Sequence, residues 1–301
     1  MGRLRAIVLG SAAGGGFPQW NCRCPVCQLA WAGDRRVKPR TQASLAISAD
    51  GKDWLLINAS PDLPEQLRRS PALHPNGRTR GSPIKTILLT GAEIDQVTGL
   101  LSLREREPFT LCASAATHAV IRSNSVFDVL APDVVERLTM ELDQPCALPG
   151  GLVAELFAVP GKAPLYLEGE NPETMSETAG TVGAEISAAG ARLVYIPGAA
   201  AVTARMWTRL AGADVVFFDG TLFCDDEMLA TGTGSKTGRR MGHMSIDGQG
   251  GTLDVLRDIK ARRIFIHINN TNPVLVDGSP EHARVLSEGW EIAEDGIEVV
   301  L

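Results

Sequence analysis

Cys22, Cys24 and Cys27 lie in "WNCRCPVCQLA" in a C-x-C-x-x-C pattern. Three thiolates this close can face one ion with little chain ordering, and Zn²⁺ accepts tetrahedral sulfur sites with bonds of about 2.3 Å. Pro25 stiffens the knuckle. Three unrelated core cysteines are the bland alternative, but such residues rarely take this spacing in a polar loop. A redox pair would read as a plain C-x-x-C before a helix. The fourth ligand must come from elsewhere, and His267 and Asn270 in "IFIHINNTNP" are the candidates. A closed four-ligand site is structural. Cys112, Cys146 and Cys224 are isolated and read as packing residues.

A second set of polar groups sits where apolar runs end: Asp95 after "TILLT", Asp219 after "VVFF", His243 in "MGHMSI" and His267 after "IFI". Sheets gather ligand sites at the C-terminal ends of their strands. Histidine and carboxylate together suit Fe, Mn or Zn, and a sparse set with open positions suits Fe(II) oxygen chemistry. Each residue alone has a plainer reading, a hydrogen-bonded histidine or an Asp-Gly turn. In "NASPD", Ser60 or Asp62 is expected to line the same cleft. His74, His118 and His282 have no such setting and read as surface residues.

The elements that must hold these groups are short apolar runs ending in small or polar residues. "RAIVLG" reads as a strand entering a glycine-rich loop, and "TQASLAIS" with "WLLINASPDL" as a hairpin around Asp50-Gly51. "IKTILLT", "FTLCAS", "ADVVFFDGTLF" and "ARRIFIHINNTNP" read as strands, as does "PLYLEG". "ATHAVIRSNSVFDVL", "DVVERLTMEL" and "AAAVTARMWTRLAG" read as helices. The alternation of sheet and helix in both halves suggests an α/β fold of two packed sheets covered outside by helices. Composition alone does not separate this from a Rossmann-type sheet.

The chain has 301 residues, 44% hydrophobic and 21% charged, enough to bury a substantial core. A net charge of -6 argues against a nucleic-acid surface. No run reaches the roughly 18 apolar residues of a membrane span, and "MGRLRAIVLG" is too short for a secretory leader. Clustered cysteines without a leader favour metal over disulfides, so the expected setting is reducing and cytoplasmic.

The motifs "VLGSAAGGGFPQWNCRCPVC", "LLINASPDLPEQL", "LLTGAEIDQVTGLL", "SETAGTVG", "FFDGTLF", "MGHMSIDG" and "IFIHINNTNPVL" cover nearly the whole chain. Through them it resembles the PqqB family of pyrroloquinoline quinone (PQQ) biosynthesis, in the metallo-β-lactamase superfamily. The resemblance implies an αββα sandwich, one domain over 1–301, with the zinc loop at 20–30. It also implies a departure from the superfamily's His-x-His-x-Asp-His motif, whose positions here hold Gly91, Glu93, Asp95 and Gln96. A further hydrolase His would fall near Gly161 or Lys162, and the bridging Asp in "VYIPGAA", which has no acid. Two metals with a bridging hydroxide need five or six ligands. Too few remain for ordinary hydrolysis.

The family likeness implies instead an iron- and O₂-dependent hydroxylation of the tyrosine ring in a Glu-Tyr dipeptide. Fe²⁺ would be held mainly by Asp95 and His267, with His243 and Asp219 in contact or just behind. Gln96 would orient water or substrate, and Glu93 would accept a proton. Lys162, Arg239 and Arg240 are the cations expected to meet substrate carboxylates. A carrier of the quinone or its precursor and a residual metal-dependent hydrolase are the competing readings. No nucleic acid or membrane is expected as a partner, and a homodimer is left open.

Overall fold

The computed structural model describes residues 3–75, 77, 79–170 and 173–301. Its strands in chain order are β1 (Arg5–Gly10), β2 (Ser44–Ser48), β3 (Trp54–Ile57), β4 (Ile84–Leu88), β5 (Phe109–Ala113), β6 (Val135–Thr139) and β7 (Cys146–Leu148). There follow β8 (Leu152–Pro160), β9 (Glu177–Ala188), β10 (Ala191–Ile196), β11 (Val215–Asp219), β12 (Arg262–Ile266), β13 (Trp290–Ile292) and β14 (Glu298–Val300). They form two seven-stranded sheets, ordered β14-β1-β2-β3-β4-β5-β6 and β13-β12-β11-β10-β9-β8-β7. Each sheet is antiparallel at its hairpins and parallel where helices cross over: β3 to β6 in one, β10 to β13 in the other.

Strand periodicity sorts the core. Leu55, Ile57, Leu193, Tyr195, Val215 and Phe217 point between the sheets. Their neighbours Trp54 and Leu56 pack outward on one side, and Val194, Ile196, Val216 and Phe218 on the other. Successive side chains on a strand face opposite ways, so runs that are apolar on both faces belong to sheets covered on both. The result is the αββα sandwich. β14 pairs with β1, so the C-terminus closes the N-terminal sheet.

Two segments differ from expectation. "DVVERLTMEL" forms edge strand β6, in parallel register with β5 from Phe109↔Val135 to Ala113↔Thr139. Its helical spacing is overridden because β5 offers an unpaired ladder and Val135 and Met140 are buried there. "PLYLEG" makes only a 3₁₀ turn, Leu165–Leu167, with its apolar side chains exposed. Two side chains also differ. His118 is fully buried, its Nε2 3.0 Å from Leu138 O, rather than at the surface. Cys224 is exposed rather than packed. No helix among the described residues is long and apolar enough to cross a membrane.

Candidate metal centre and cavity

The strand ends converge on one rim between the sheets. β4 leads through Leu89 and Thr90 to the short helix Ile94–Val97, which carries Asp95. β11 ends in Asp219, and β12 runs into His267. Asn58 at the end of β3 clamps the exit of β4: its Oδ1 accepts from Thr90 N, and its Nδ2 donates to Thr90 Oγ1, both 2.9 Å. The helix start is fixed by a capping box between Glu93 and Gln96. After β1, Ala13 N donates to Ile268 O and Ile268 N to Ser11 O, both 2.9 Å, so the glycine loop spans both sheets.

Asp95 Oδ2 lies 3.0 Å from His267 Nε2. With bonds of about 2.1 Å, adjacent ligands of an octahedral ion stand about 3.0 Å apart. Asp219, His243 and His267 also offer donor atoms within 4.8 Å of one another. Their roles differ. Asp219 is fully buried and accepts from His243 Nδ1 at 2.8 Å and from Ala199 N at 3.0 Å. That leaves His243 Nε2 as the ring's free lone pair, with Asp219 behind it as the orienting carboxylate. The groups lining the cavity are therefore two imidazoles and Asp95, donors of the kind a divalent first-row metal takes; Asp95 meets His267, while the three groups within 4.8 Å of one another are Asp219, His243 and His267.

Thr221, which the sequence reading passed over, joins these groups. Its Oγ1 is 2.6 Å from Asp219 Oδ1, 2.9 Å from His267 Nδ1, 3.1 Å from His243 Nδ1 and 3.0 Å from His267 O. A hydroxyl has one proton to give, and a carboxylate can only accept. The Thr221 proton therefore goes to Asp219, and its oxygen accepts from His267 Nδ1–H, directing Nε2 to Asp95. Thr221 also holds His267 at φ 58°, a left-handed conformation costly for a residue with a side chain. Replacing Thr221 by Val keeps the shape and removes the proton. Affinity for metal at this centre is expected to fall about 10–100-fold, with Thr221→Ser near wild type, in a chelator-competition titration.

Charge follows the same pairing. Burial opposes ionisation of Asp95, but the hydrogen bond and charge of His267 hold its carboxyl below the usual range. Burial likewise opposes the imidazolium of His267, yet Asp95 and Asp219 hold it above its ordinary value. Burial is again offset at Asp219, by the charges of His243 and His267, and its carboxyl is lowered.

The cysteine cluster is a separate site. Cys22, Cys24 and Cys27 bring their sulfurs within 4.8 Å of one another, close to the edge of about 3.8 Å for a tetrahedral zinc with 2.3 Å bonds. Asn270 faces it: its Nδ2 donates toward Cys22 Sγ at 3.1 Å and Cys27 Sγ at 3.3 Å, and its backbone O is 3.6 Å from Cys24 Sγ, so a carbonyl oxygen is the atom of this residue able to ligate zinc. His267, the other candidate, is turned to Asp95. Burial pushes the Cys24 thiol up to about 12 and raises Cys27 too, so a bound cation is what would favour their thiolates.

A cavity of about 520 Å³ opens on Asp95, His243 and His267. Its walls are largely small or apolar: Gly14, Gly91, Ala92, Gly161, Leu165 and Met241 among others. Several expected ligands of substrate are engaged elsewhere. Asp62 Oδ2 accepts from Gln42 N and Nε2, both 2.9 Å, and Ser60 Oγ donates to Gln66 Oε1 at 3.1 Å. Neither lines the cavity, because helix Leu63–Arg69 draws them toward its own start. Arg239 is exposed, and Arg240 is bound to Glu168 and to Glu170 O. Lys162 lines the cavity, but its ammonium is enclosed by Glu93, Glu168 and Ala163 O.

Glu93 is no free proton acceptor. Oε1 pairs with Lys162 and Oε2 accepts from Leu165 N at 3.1 Å. Gln96 Oε1 accepts from Glu93 N at 3.2 Å, which leaves its amide NH₂ for the cavity.

Residues 53–268 match the model of the beta-lactamase superfamily domain. The chain is 55% identical over 299 residues to coenzyme PQQ synthesis protein B of Methylobacterium sp. (strain 4-46), covering 99% of this chain and 100% of that one. The chain belongs to the PqqB family. A crystal structure of Zn²⁺-bound PqqB from Methylobacterium extorquens superimposes with a TM-score of 0.97 at 52% identity, covering 99% and 100% of the two chains. A diphosphatase of the PhnP family, at 22% identity and a TM-score of 0.70 over 99% of this chain and 97% of its own, shares the fold. The zinc of the PqqB relative accords with the kind of donors gathered here.

One supporting residue has a pH signature. Glu227 is buried, accepts from Phe223 N at 2.7 Å, and binds Thr271 Oγ1 on the loop after β12. Burial raises its carboxyl to about 7. A folded-state pKa above the unfolded value means the native state binds the proton more tightly, so stability is lost as pH rises from about 4.5 through 7. Glu227→Gln keeps both contacts without the charge. It is expected to unfold later than wild type at pH 8, by up to about 3 kcal/mol, and alike at pH 4.5, in denaturant titrations at both pH values.

Proposed function

We propose that this PqqB-family chain acts in PQQ synthesis as a metal-dependent enzyme that hydroxylates the tyrosine ring of a Glu-Tyr-derived precursor, using Fe²⁺, O₂ and two electrons from an external reductant, with the second oxygen atom leaving as water. The observation that carries the reading is the sparse donor set. Asp95, His267 and His243 face one cavity, while the positions of two hydrolase histidines hold Gly91 and Glu93. Three ligands suit one metal with open positions rather than two metals with a bridging hydroxide.

When bound, iron would supply the one-electron and O₂ chemistry that side chains lack. The chain's own residues do the rest. Asp219 and Thr221 fix the two imidazoles, so little reorganisation accompanies binding. The cavity, about 520 Å³ with many small residues in its walls, has room for an aromatic ring. The Gln96 amide NH₂ is placed to orient a phenol oxygen. Cys22, Cys24, Cys27 and Asn270 would hold a structural Zn²⁺ bracing the loop that carries His267. A cytoplasmic location accords with free thiols throughout.

The test uses protein purified without oxygen, loaded with Fe²⁺ and supplied with a chemical two-electron reductant. The expected result is O₂ uptake on adding Glu-Tyr dipeptide, with a dihydroxyphenyl product by mass. Turnover with Zn²⁺ or Mn²⁺ and no O₂ would establish a hydrolase instead. Tight binding without turnover would establish a carrier.

A further inference from the structure

Two ammonium groups line the cavity, and counting donors separates them. An ammonium has three N–H bonds and no acceptor. Lys162 Nζ lies 3.2 Å from Glu93 Oε1, 3.2 Å from Ala163 O and 3.3 Å from Glu168 Oε2, and its side chain is only 10% exposed. Glu93 Oε1 and Ala163 O accept two of its hydrogen bonds, and Glu168 Oε2 encloses the ammonium as an ion-pair contact, so little of it is open to a ligand. Lys236 Nζ meets one partner among the described residues, Glu168 Oε1 at 3.2 Å, and its side chain is 37% exposed. Two N–H bonds remain for a ligand.

The charge count agrees. Glu168 is buried and shared by Lys162, Lys236 and Arg240. Burial opposes its charge, but Arg240, Lys236 and Lys162 hold its carboxyl down to about 2, so it stays ionised. With Glu93, two carboxylates serve three cations, which leaves one positive charge in excess. Of the three cations, Lys162 and Lys236 line the cavity, and among the described residues the carboxylates that line it are Glu93, paired with Lys162, and Asp95, which belongs to the metal centre. Lys236 therefore faces a cavity with small and apolar walls in which no described carboxylate outside the metal centre is left unpaired. Such a wall favours an anionic ligand group.

We propose that Lys236 is a specificity-determining residue that takes a carboxylate of the substrate, with Glu168 holding the ammonium at the cavity wall. The ligand class is an amino-acid-derived phenol with a free carboxylate. The proposal rests on the reading of this cavity as the substrate site.

The experiment is anaerobic calorimetric titration of the full-length, metal-loaded protein with three probes: Glu-Tyr, its C-terminal carboxamide, and Gln-Tyr. Lys236→Ala is expected to weaken Glu-Tyr about tenfold. One of the two neutralised probes, the one lacking the recognised carboxylate, should bind wild type and variant alike. Lys236→Arg should recover most of the affinity. An equal loss for all three probes would mark a structural role and overturn the proposal, as would no loss for any, or no binding of any probe by wild type. Binding is read without O₂. A charge-dependent loss in a protein that hydroxylates nothing would leave this proposal standing and remove the oxygenase.

Discussion

Asp95→Ala is expected to lower iron-dependent O₂ uptake by at least about 10³-fold, or about 4 kcal/mol of transition-state stabilisation. Metal per chain should drop by the ion held in the cleft, with the thiolate ion retained. The reason is geometric. Asp95 is the one carboxylate that meets the cavity and touches His267 Nε2, at 3.0 Å. It takes no part in the Glu93/Gln96 capping box, so its helix keeps its start without it. Removing it strips a ligand and leaves two neutral imidazoles, too few to hold a dication firmly. Asp95→Asn is the companion variant: it keeps size and polarity, loses charge, and should be nearly as inactive. Oxygen-electrode traces with metal analysis of the same samples decide it. Turnover near wild type in Asp95→Ala would remove Asp95 from the site and the mononuclear reading with it.

Cys27→Ser is expected to have the largest effect on stability, a loss of more than about 4 kcal/mol, or roughly 10 °C in a thermal melt. Cys27 is fully buried against Asn270, and serine there neither binds zinc well nor packs like sulfur. A strong chelator should bring wild type down to the variant's midpoint and leave the variant unmoved. The loss should also reach turnover. Asn270 is three residues beyond His267, and the knuckle's loop meets the loop after β12 through the Ala13–Ile268 bond. A wild type whose melt ignores the chelator, and a variant that melts with it, would show that the knuckle holds no metal.

The local part of this protein was legible in its residues. The C-x-C-x-x-C spacing brings three sulfurs together within one turn of chain, and no distant element is needed to see it. Asp95 and His267 could be picked out because each follows an apolar run, and strand ends of packed sheets meet at a rim; His243, just beyond the short helix Gly238–Met241, was singled out by its glycine-containing loop. The two-sheet sandwich followed from the alternation of sheet and helix in both halves, with the family likeness deciding against a Rossmann sheet.

What stayed hidden depended on contacts between residues far apart in the chain. Asp219 is two residues from Thr221, but nothing nearby marks Thr221 as the hub of two imidazoles, because His243 and His267 arrive from two other loops. Lys162 and Arg240 looked free as cations, but Glu93 and Glu168 had already claimed them, and Arg239 is exposed away from the cavity. Lys236 drew no notice because its openness to the cavity shows only beside its more enclosed neighbour Lys162. Val135–Thr139 reads as helix by spacing and becomes a strand because β5 leaves an edge to pair. Residue type and spacing thus set which chemistry was available. Tertiary packing decided which polar groups were used up in holding the fold and which were left facing the cavity, since each donor and each charge can be satisfied only once.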